Sequence, residues 1–356
     1  MLKLTALLFL AACSLTSISQ VTTPRVPSPA ATVSQTVGIS TVTVKYSRPS
    51  VKAREVWGAL VPYGWNVQAG GLTDPAPWRA GANENTVITF SHDAKVEGKP
   101  VPAGSYGLFF VINKDNSGEV ILSKDYRSWG NFAYEQKNDL MRANIQVRDI
   151  PQTELLTYDF INMSKTSADL VLMWEKKEFP VKIEFAVDDI VMANAAAELK
   201  GAIGFNWIGY YTAANYALQN KIVNDQSLAW ADQAVNFNSS FNTLKLKSGL
   251  LKLQGKNDEA EKTFNDAVAA STENELNLYA YQIMNNGQQD KAIELFILNT
   301  QRHPKSANVW DSLGEGYALK GDKKNAIANF KKSLSLNPPA ATKANSEKYL
   351  KQLGAM

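Results

Sequence analysis

The spacing of apolar and polar positions changes once along the chain, near residue 190, and that change separates two kinds of structure. Before it the period is two. In residues 41–47, Val42, Val44 and Tyr46 fall on one side and Thr41, Thr43 and Lys45 on the other, the pattern of a half-buried strand. Segments rich in β-branched and aromatic residues recur at 86–91, 105–113, 119–124, 155–162, 169–175 and 180–187. Polar stretches separate them: Glu97-Gly98-Lys99, Asp115-Asn116-Ser117-Gly118, Ser164-Lys165-Thr166-Ser167 and Lys176-Lys177-Glu178. Short strands divided in this way predict an antiparallel sandwich or barrel-like domain. From Ile190 the period becomes helical, and residues 190–200 read as a connecting helix.

Beyond that helix the sequence repeats. In residues 307–340, Trp310, Leu313, Gly314, Tyr317, Ala326, Phe330 and Pro338 stand on defining positions of a helix–turn–helix unit, with Ser333 where alanine is usual. Ala292, Phe296 and Pro304 each lie 34 residues before their counterparts, and Leu276, Tyr279 and Ala280 mark a looser first helix. Ala260 and Phe264 precede Ala292 and Phe296 by 32 residues, with Ala267 at the place of Ser333 and Gly255-Lys256-Asn257-Asp258 as the turn. Ala231 and Ala234 mark a fourth, divergent unit over 208–240. These residues resemble the tetratricopeptide (TPR) family, most closely in the last unit. Small residues such as Gly314 and Ala326 let paired helices approach, while Trp310, Tyr317 and Phe330 are expected to fill the space between hairpins. Residues 342–353, with Lys343, Glu347, Lys348 and Lys351 for an outer face, read as a polar capping helix.

The resemblance implies a concave wall of first helices that holds a protein or peptide. Its groove positions fall here on Tyr216, Asn242, Lys245, Asn274, Asn277, Tyr281, Asn308, Asp311 and Glu315. Asparagine recurs at one repeat position in Asn242, Asn274 and Asn308, and its amide can bond an extended backbone without selecting a sequence. A solvated helix face tolerates the same residues. The full lysine and asparagine set of the carboxylate-clamp subfamily is missing, and the basic run Lys320, Lys323, Lys324, Lys331 and Lys332 reads as a solubilising surface.

In the first half, Tyr46-Ser47-Arg48-Pro49-Ser50-Val51-Lys52, Trp57-Gly58-Ala59-Leu60-Val61-Pro62-Tyr63-Gly64 and Trp78-Arg79-Ala80-Gly81-Ala82-Asn83-Glu84 resemble the DUF2911 family of exported bacterial proteins. The likeness continues through Val96-Glu97-Gly98-Lys99 and Pro102-Ala103-Gly104-Ser105-Tyr106 to Trp129-Gly130, covering 28–187. That family has no assigned function, so it implies a fold and no activity. Between Tyr63 and Trp78 this chain carries roughly ten extra residues, with Gly70-Gly71 and Pro75-Ala76-Pro77, a loop insertion. Arg48, Lys52, Arg54, Trp78, Arg79, Asn83 and Glu84 cluster in loops beside predicted strands. One reading is a ligand site in which arginines grip an anion against Trp78: a small-ligand or glycan site, or a hydrolase using Arg48, Arg79 and Glu84. The other is that Arg48 and Arg79 pair with Glu84 or cap backbone carbonyls, while Trp57 and Trp78 are core.

Other chemistry is sparse. His92 and His303 lie in different predicted domains, and zinc spacings and glycine-rich phosphate loops are absent, so no metal or cofactor is expected. His92 beside Asp93, with Ser91 or Ser105 as nucleophile, lacks a nucleophile-elbow sequence and reads as a turn histidine. Residues 113–118 imitate the start of a calcium loop, but Lys124 occupies the position that needs a carboxylate, which leaves a hairpin turn. The balance of 37 Lys and Arg against 34 Asp and Glu, a net +3, gives no general reason for a nucleic-acid or acidic-membrane partner.

Lys3, the apolar run Leu4 to Ala12 and the small, polar exit Ser14 to Gln20 make a targeting segment. Leu10-Ala11-Ala12-Cys13 reads as a lipoprotein box, making Cys13 a candidate lipidation site and the only expected membrane attachment; Ser17-Ile18-Ser19 before Gln20 reads as an ordinary cleavage site. With one cysteine in the chain, no internal disulfide can form. The expected layout is a signal segment (1–20), a β-rich domain (28–190), a connecting helix (191–204), TPR repeats (205–340) and a capping helix (341–356). The fold class is α+β multidomain. The expected role is an exported, non-enzymatic scaffold of the periplasm or envelope.

Overall fold

Val42, Val44 and Tyr46 do face one side and are buried, and the strand that carries them lies second in a sheet. The computed structural model describes residues 27–66 and 74–356. The targeting segment, Cys13 and Gly70-Gly71 lie outside them. In chain order the described strands are β1 (Ala30–Val37), β2 (Ser40–Ser47), β3 (Val87–Phe90), β4 (Ala94–Val96), β5 (Lys99–Val101), β6 (Gly104–Ile112), β7 (Ser117–Ser123), β8 (Asp139–Gln146), β9 (Arg148–Ile161) and β10 (Ser167–Phe185). Six form an antiparallel sheet in the order β1-β2-β3-β6-β7-β8, and four form a second in the order β5-β4-β10-β9. The two share one core. Val44, Ile88, Leu108, Phe110 and Leu122 of the first sheet pack with Leu156, Leu172, Trp174, Phe179 and Val181 of the second. Each such side chain contributes roughly 1.5–3 kcal/mol when taken fully out of water.

Turn chemistry sets the hairpins. Glu97 and Gly98 both take positive φ (48° and 76°), the two-residue turn that joins β4 to β5. Between β6 and β7, Asp115 Oδ1 accepts from the Ser117 N–H at 3.0 Å, and Asn116 adopts φ 63°. That Asx turn is the whole of the calcium-loop likeness. The sequence reading errs at Lys176-Lys177-Glu178, expected as a turn. Here β10 runs unbroken over 19 residues, with register shifts around Glu175, whose φ is 54°. Lys177 and Glu178 pair with Asp149 and Arg148 of β9, ion pairs closing at 2.6 and 3.5 Å. Charge lying across a ladder imitates the polarity of a turn.

The chain divides into two compact units between Val191 and Met192, within helix α1 (Val187–Glu198). Val187, Ile190 and Val191 pack on the β core; Met192 and Ala195 belong to the first helical cluster. The second unit pairs α2 (Trp207–Gln219) with α3 (Asp225–Phe237), α4 (Phe241–Leu253) with α5 (Asn257–Ala270), α6 (Glu273–Asn285) with α7 (Gln289–Arg302) and α8 (Ala307–Lys320) with α9 (Lys323–Ser335), then ends in α10 (Ala340–Gln352). The first helices of the last three pairs stop at Gly255, Gly287 and Gly321, with φ of 77°, 83° and 84°. In each, a backbone bond from the following residue, such as Asp322 N–H to the Tyr317 carbonyl at 2.9 Å, closes the turn. The first pair uses Lys221 at φ 56°, the same stop without glycine, which is one reason its repeat is faint in sequence.

Ala260, Ala292 and Ala326 are buried on the second helices, and Phe296 and Phe330 are fully buried. A Cβ on Gly314 would stand 2.8 Å from Phe330 Cε1, so the absence of a side chain there makes room for the ring. On its other side Phe330 stacks on Tyr349 of α10 at 5.0 Å, and Tyr317 packs against the same cluster. Trp310 departs from expectation. It is half-exposed, its indole N–H donates to the Pro304 carbonyl at 3.0 Å and Lys332 of α9 lies over its ring, so it ties the loop before α8 to its own hairpin.

Candidate functional sites

In the β unit, Trp78 is fixed by reciprocal backbone bonds to Phe110, both 2.9 Å, which lay its ring in the core. It stacks on Trp174 at 5.8 Å, and Trp57 meets both edge-on. The following loop is held from beneath. The Ala80 carbonyl accepts from the buried hydroxyls of Thr86 and Tyr158, each at 3.0 Å, and Asn131 Nδ2 donates to the Pro77 carbonyl. Ala80 and Asn83 take φ of 54° and 62°, and Lys52 and Ala53 of the facing loop take 49° and 55°. For residues with a Cβ this conformation costs about 1 kcal/mol or more each.

A cavity of about 350 Å³ lies between these loops, lined by Lys52, Arg54, Trp78, Arg79, Asn83 and Trp174 among others. Arg48 does not line it. Its Nε donates to the Leu156 carbonyl at 2.9 Å and its Nη2 to Thr157 Oγ1 at 2.6 Å, tying the segment after β2 to β9. Glu84 is half-buried and also stands outside the lining. Arg79 Nη1 caps the Asn83 carbonyl at 2.9 Å, and burial pushes its guanidinium below the ordinary value. Of the seven residues drawn from the sequence, the fold therefore gathers Lys52, Arg54, Trp78, Arg79 and Asn83 and leaves Arg48 and Glu84 outside the lining.

His92 Nδ1 sits 3.0 Å from Ser91 Oγ, but Asp93 Oδ1 accepts from the Ala103 N–H at 2.8 Å and Ser105 bonds Thr89. These side chains close the strand ends and form no relay. A polar cluster unforeseen in the sequence covers the outer face of β6–β8. There Trp65 and Tyr134 pack on Phe109, Val111 and Ile121. The Tyr134 hydroxyl donates to Asp139 Oδ2 at 2.7 Å, Arg142 Nε bonds the same oxygen at 2.6 Å, and Arg142 lies over the Trp65 ring. Burial, ahead of the bond to Asp139, pushes the Tyr134 phenol well up. Burial also raises the Asp139 carboxyl despite its two donors. The period-two run Met141, Ala143, Ile145 could have announced β8, and with it Arg142 on the opposite face.

The helical unit carries an open cavity of about 920 Å³ along α2, α4 and α6, with α5 and α7 completing it. Asn242 and Lys245 line it, joined by Tyr211, Asn215, Tyr279 and Gln282, which the sequence reading missed. In the divergent first repeat the expected register selects Tyr216, whereas Tyr211 and Asn215 are the residues of α2 that face the cavity. The Lys245 ammonium stands 5.1 and 5.0 Å from the Phe241 and Tyr279 ring centres, and burial lowers its pKa. Other expected groove positions serve the stack itself. Asp311 accepts from Asn345 at 2.8 Å and from Ser346, and Glu315 accepts from Tyr281 at 2.9 Å and from Asn345. Asn277 is buried, Tyr216 packs in the first helical cluster, Asn274 is exposed and Asn308 half-exposed. None of these four lines the cavity.

Residues 28–183 match the family model described as "Protein of unknown function (DUF2911)", and residues 307–339 match that of the tetratricopeptide repeat. Among solved structures, the chain is similar to MamA at 17% identity, covering 46% of this chain and 92% of that one, with a TM-score of 0.28. It is similar to PilF of Pseudomonas aeruginosa at 17% identity, covering 43% and 71%, with a TM-score of 0.27. The C-terminal part of a TPR repeat-containing protein from Cytophaga hutchinsonii is 16% identical, with 48% and 78% covered and a TM-score of 0.29. No curated protein matches the chain.

Proposed function

We propose that this chain, a DUF2911-type β unit followed by TPR hairpins, is an exported, non-enzymatic scaffold of the periplasm or envelope whose helical unit holds an extended segment of a protein partner. The observation that carries the reading is the open cavity along α2, α4 and α6. Its wall offers amides from Asn215, Asn242 and Gln282, which bond a peptide backbone in either sense. Tyr211 and Tyr279 supply flat apolar surface. Lys245, held between two rings, presents a positioned cation. TPR units commonly serve protein interaction, and export rests on the targeting segment read in residues 1–20.

The test is a titration. A partner captured by the full chain from envelope extract, then identified and purified, should bind saturably. Asn242→Ala combined with Lys245→Gln should weaken it about tenfold or more, the loss of one charge-assisted contact and one amide contact. Equal binding by the variant, or no saturable partner, would remove the groove from the account.

A further inference from the structure

We infer that the cavity between residues 50–54 and 78–83 of the β unit binds a small organic anion, a carboxylate carried on a flat apolar body. This goes beyond the peptide groove and does not depend on it. Among the described residues, the charged ones of the lining are Lys52, Arg54 and Arg79, with no aspartate or glutamate. None of the three forms an ion pair with a described carboxylate. Glu154 approaches, but it accepts from the Lys52 backbone N–H at 2.9 Å and stays outside the lining. Arg54 is turned onto the carbonyls of Ser50 and Val51, which fixes its charge at the rim.

Arg79 is the most informative. Its guanidinium is half-buried, rests against the Phe132 ring at 5.6 Å and has one acceptor among the described residues, the Asn83 carbonyl. Gly130 is shaped around it, since a Cβ there would stand 2.9 Å from Arg79 Cζ. A guanidinium drawn out of water without a carboxylate leaves desolvation uncompensated, and an anion in the cavity supplies the missing partner. The stacked Trp78 and Trp174 form an apolar wall that suits the body of an organic acid better than bare phosphate. A volume of about 350 Å³ falls at the small end of ligand pockets, which run roughly 300–1,000 Å³. Four residues with side chains hold left-handed backbone around this space, Lys52, Ala53, Ala80 and Asn83, where strain so concentrated points to a shaped site.

Calorimetric titration of the full chain with acetate, benzoate, indole-3-acetate, inorganic phosphate and the uncharged indole-3-acetamide tests this. Benzoate or indole-3-acetate should bind saturably, with the amide weaker by about tenfold, the worth of one charge-assisted pair. Arg79→Gln and Lys52→Gln should each lower the carboxylate affinity by a similar factor. Should Arg79→Gln fail to fold, Lys52→Gln decides, because that side chain is exposed. Absence of saturable carboxylate binding, equal affinity for the amide, binding of phosphate alone, or an unaffected Lys52→Gln would each overturn the inference.

Discussion

At the position where the repeat pattern carries alanine, Ser333 is fully buried and its hydroxyl meets no partner among the described residues. The equivalent Ala267 is equally buried and has nothing to satisfy. A buried hydroxyl without a bond costs about 1–3 kcal/mol, and alanine is also the better helix former by a few tenths. Ser333→Ala should therefore stabilise the helical unit by about 1 kcal/mol, raising the midpoint of its helical melting transition. A lowered midpoint would mean that the hydroxyl is engaged. Single residues were legible in the sequence where small and large had to alternate, as at Ala326 and Phe330. They were illegible where a side chain reaches far along the chain. Nothing near Arg48 announces that its guanidinium goes to Leu156 and Thr157 on β9.

Among elements, helices and their turns were easier to read than strands. Gly255, Gly287 and Gly321 recur because a left-handed stop is cheapest without a Cβ, so the turns mark themselves. Strand β1, whose side chains are mostly exposed or half-exposed, has little apolar content to betray it, and the charged stretch of β10 was mistaken for a turn. The capping helix α10 is held by a polar knot as well as by Leu350 and Tyr349. Asn345 and Ser346 both donate to Asp311, whose carboxyl is nonetheless raised above 3.8 by burial. The folded state thus takes up this proton more readily than the unfolded chain. The group favours folding most below the unfolded value of 3.8 and progressively less as pH rises to the raised folded value. In melts from acid to neutral pH, Asp311→Asn should remove that decline, so the wild type should lose stability relative to the variant as pH rises through this window. A wild-type advantage that grows with pH there would contradict the assignment.

At the scale of the whole molecule, two cores lie on either side of Val191 and Met192, one built with period two and one by repetition. That division was readable because the two periods bury their apolar faces in different ways. The binding surfaces were only half readable. Repeat arithmetic placed Asn242 and Lys245 on the open wall, and it placed a capping helix at the end of the chain, but no repeat position announces that Asn345 and Ser346 of that cap donate to Asp311 and Glu315. The proposed role requires that the wall of α2, α4 and α6 meet a partner. The most direct measurement places a photo-crosslinking residue in the full chain at Asn215 or Asn242 in the cavity, and at the exposed Lys331 of α9 as the comparison. Illumination in envelope extract should yield one discrete protein adduct from the two cavity positions and none from Lys331. The same adduct from all three positions, or none from the cavity, would contradict it.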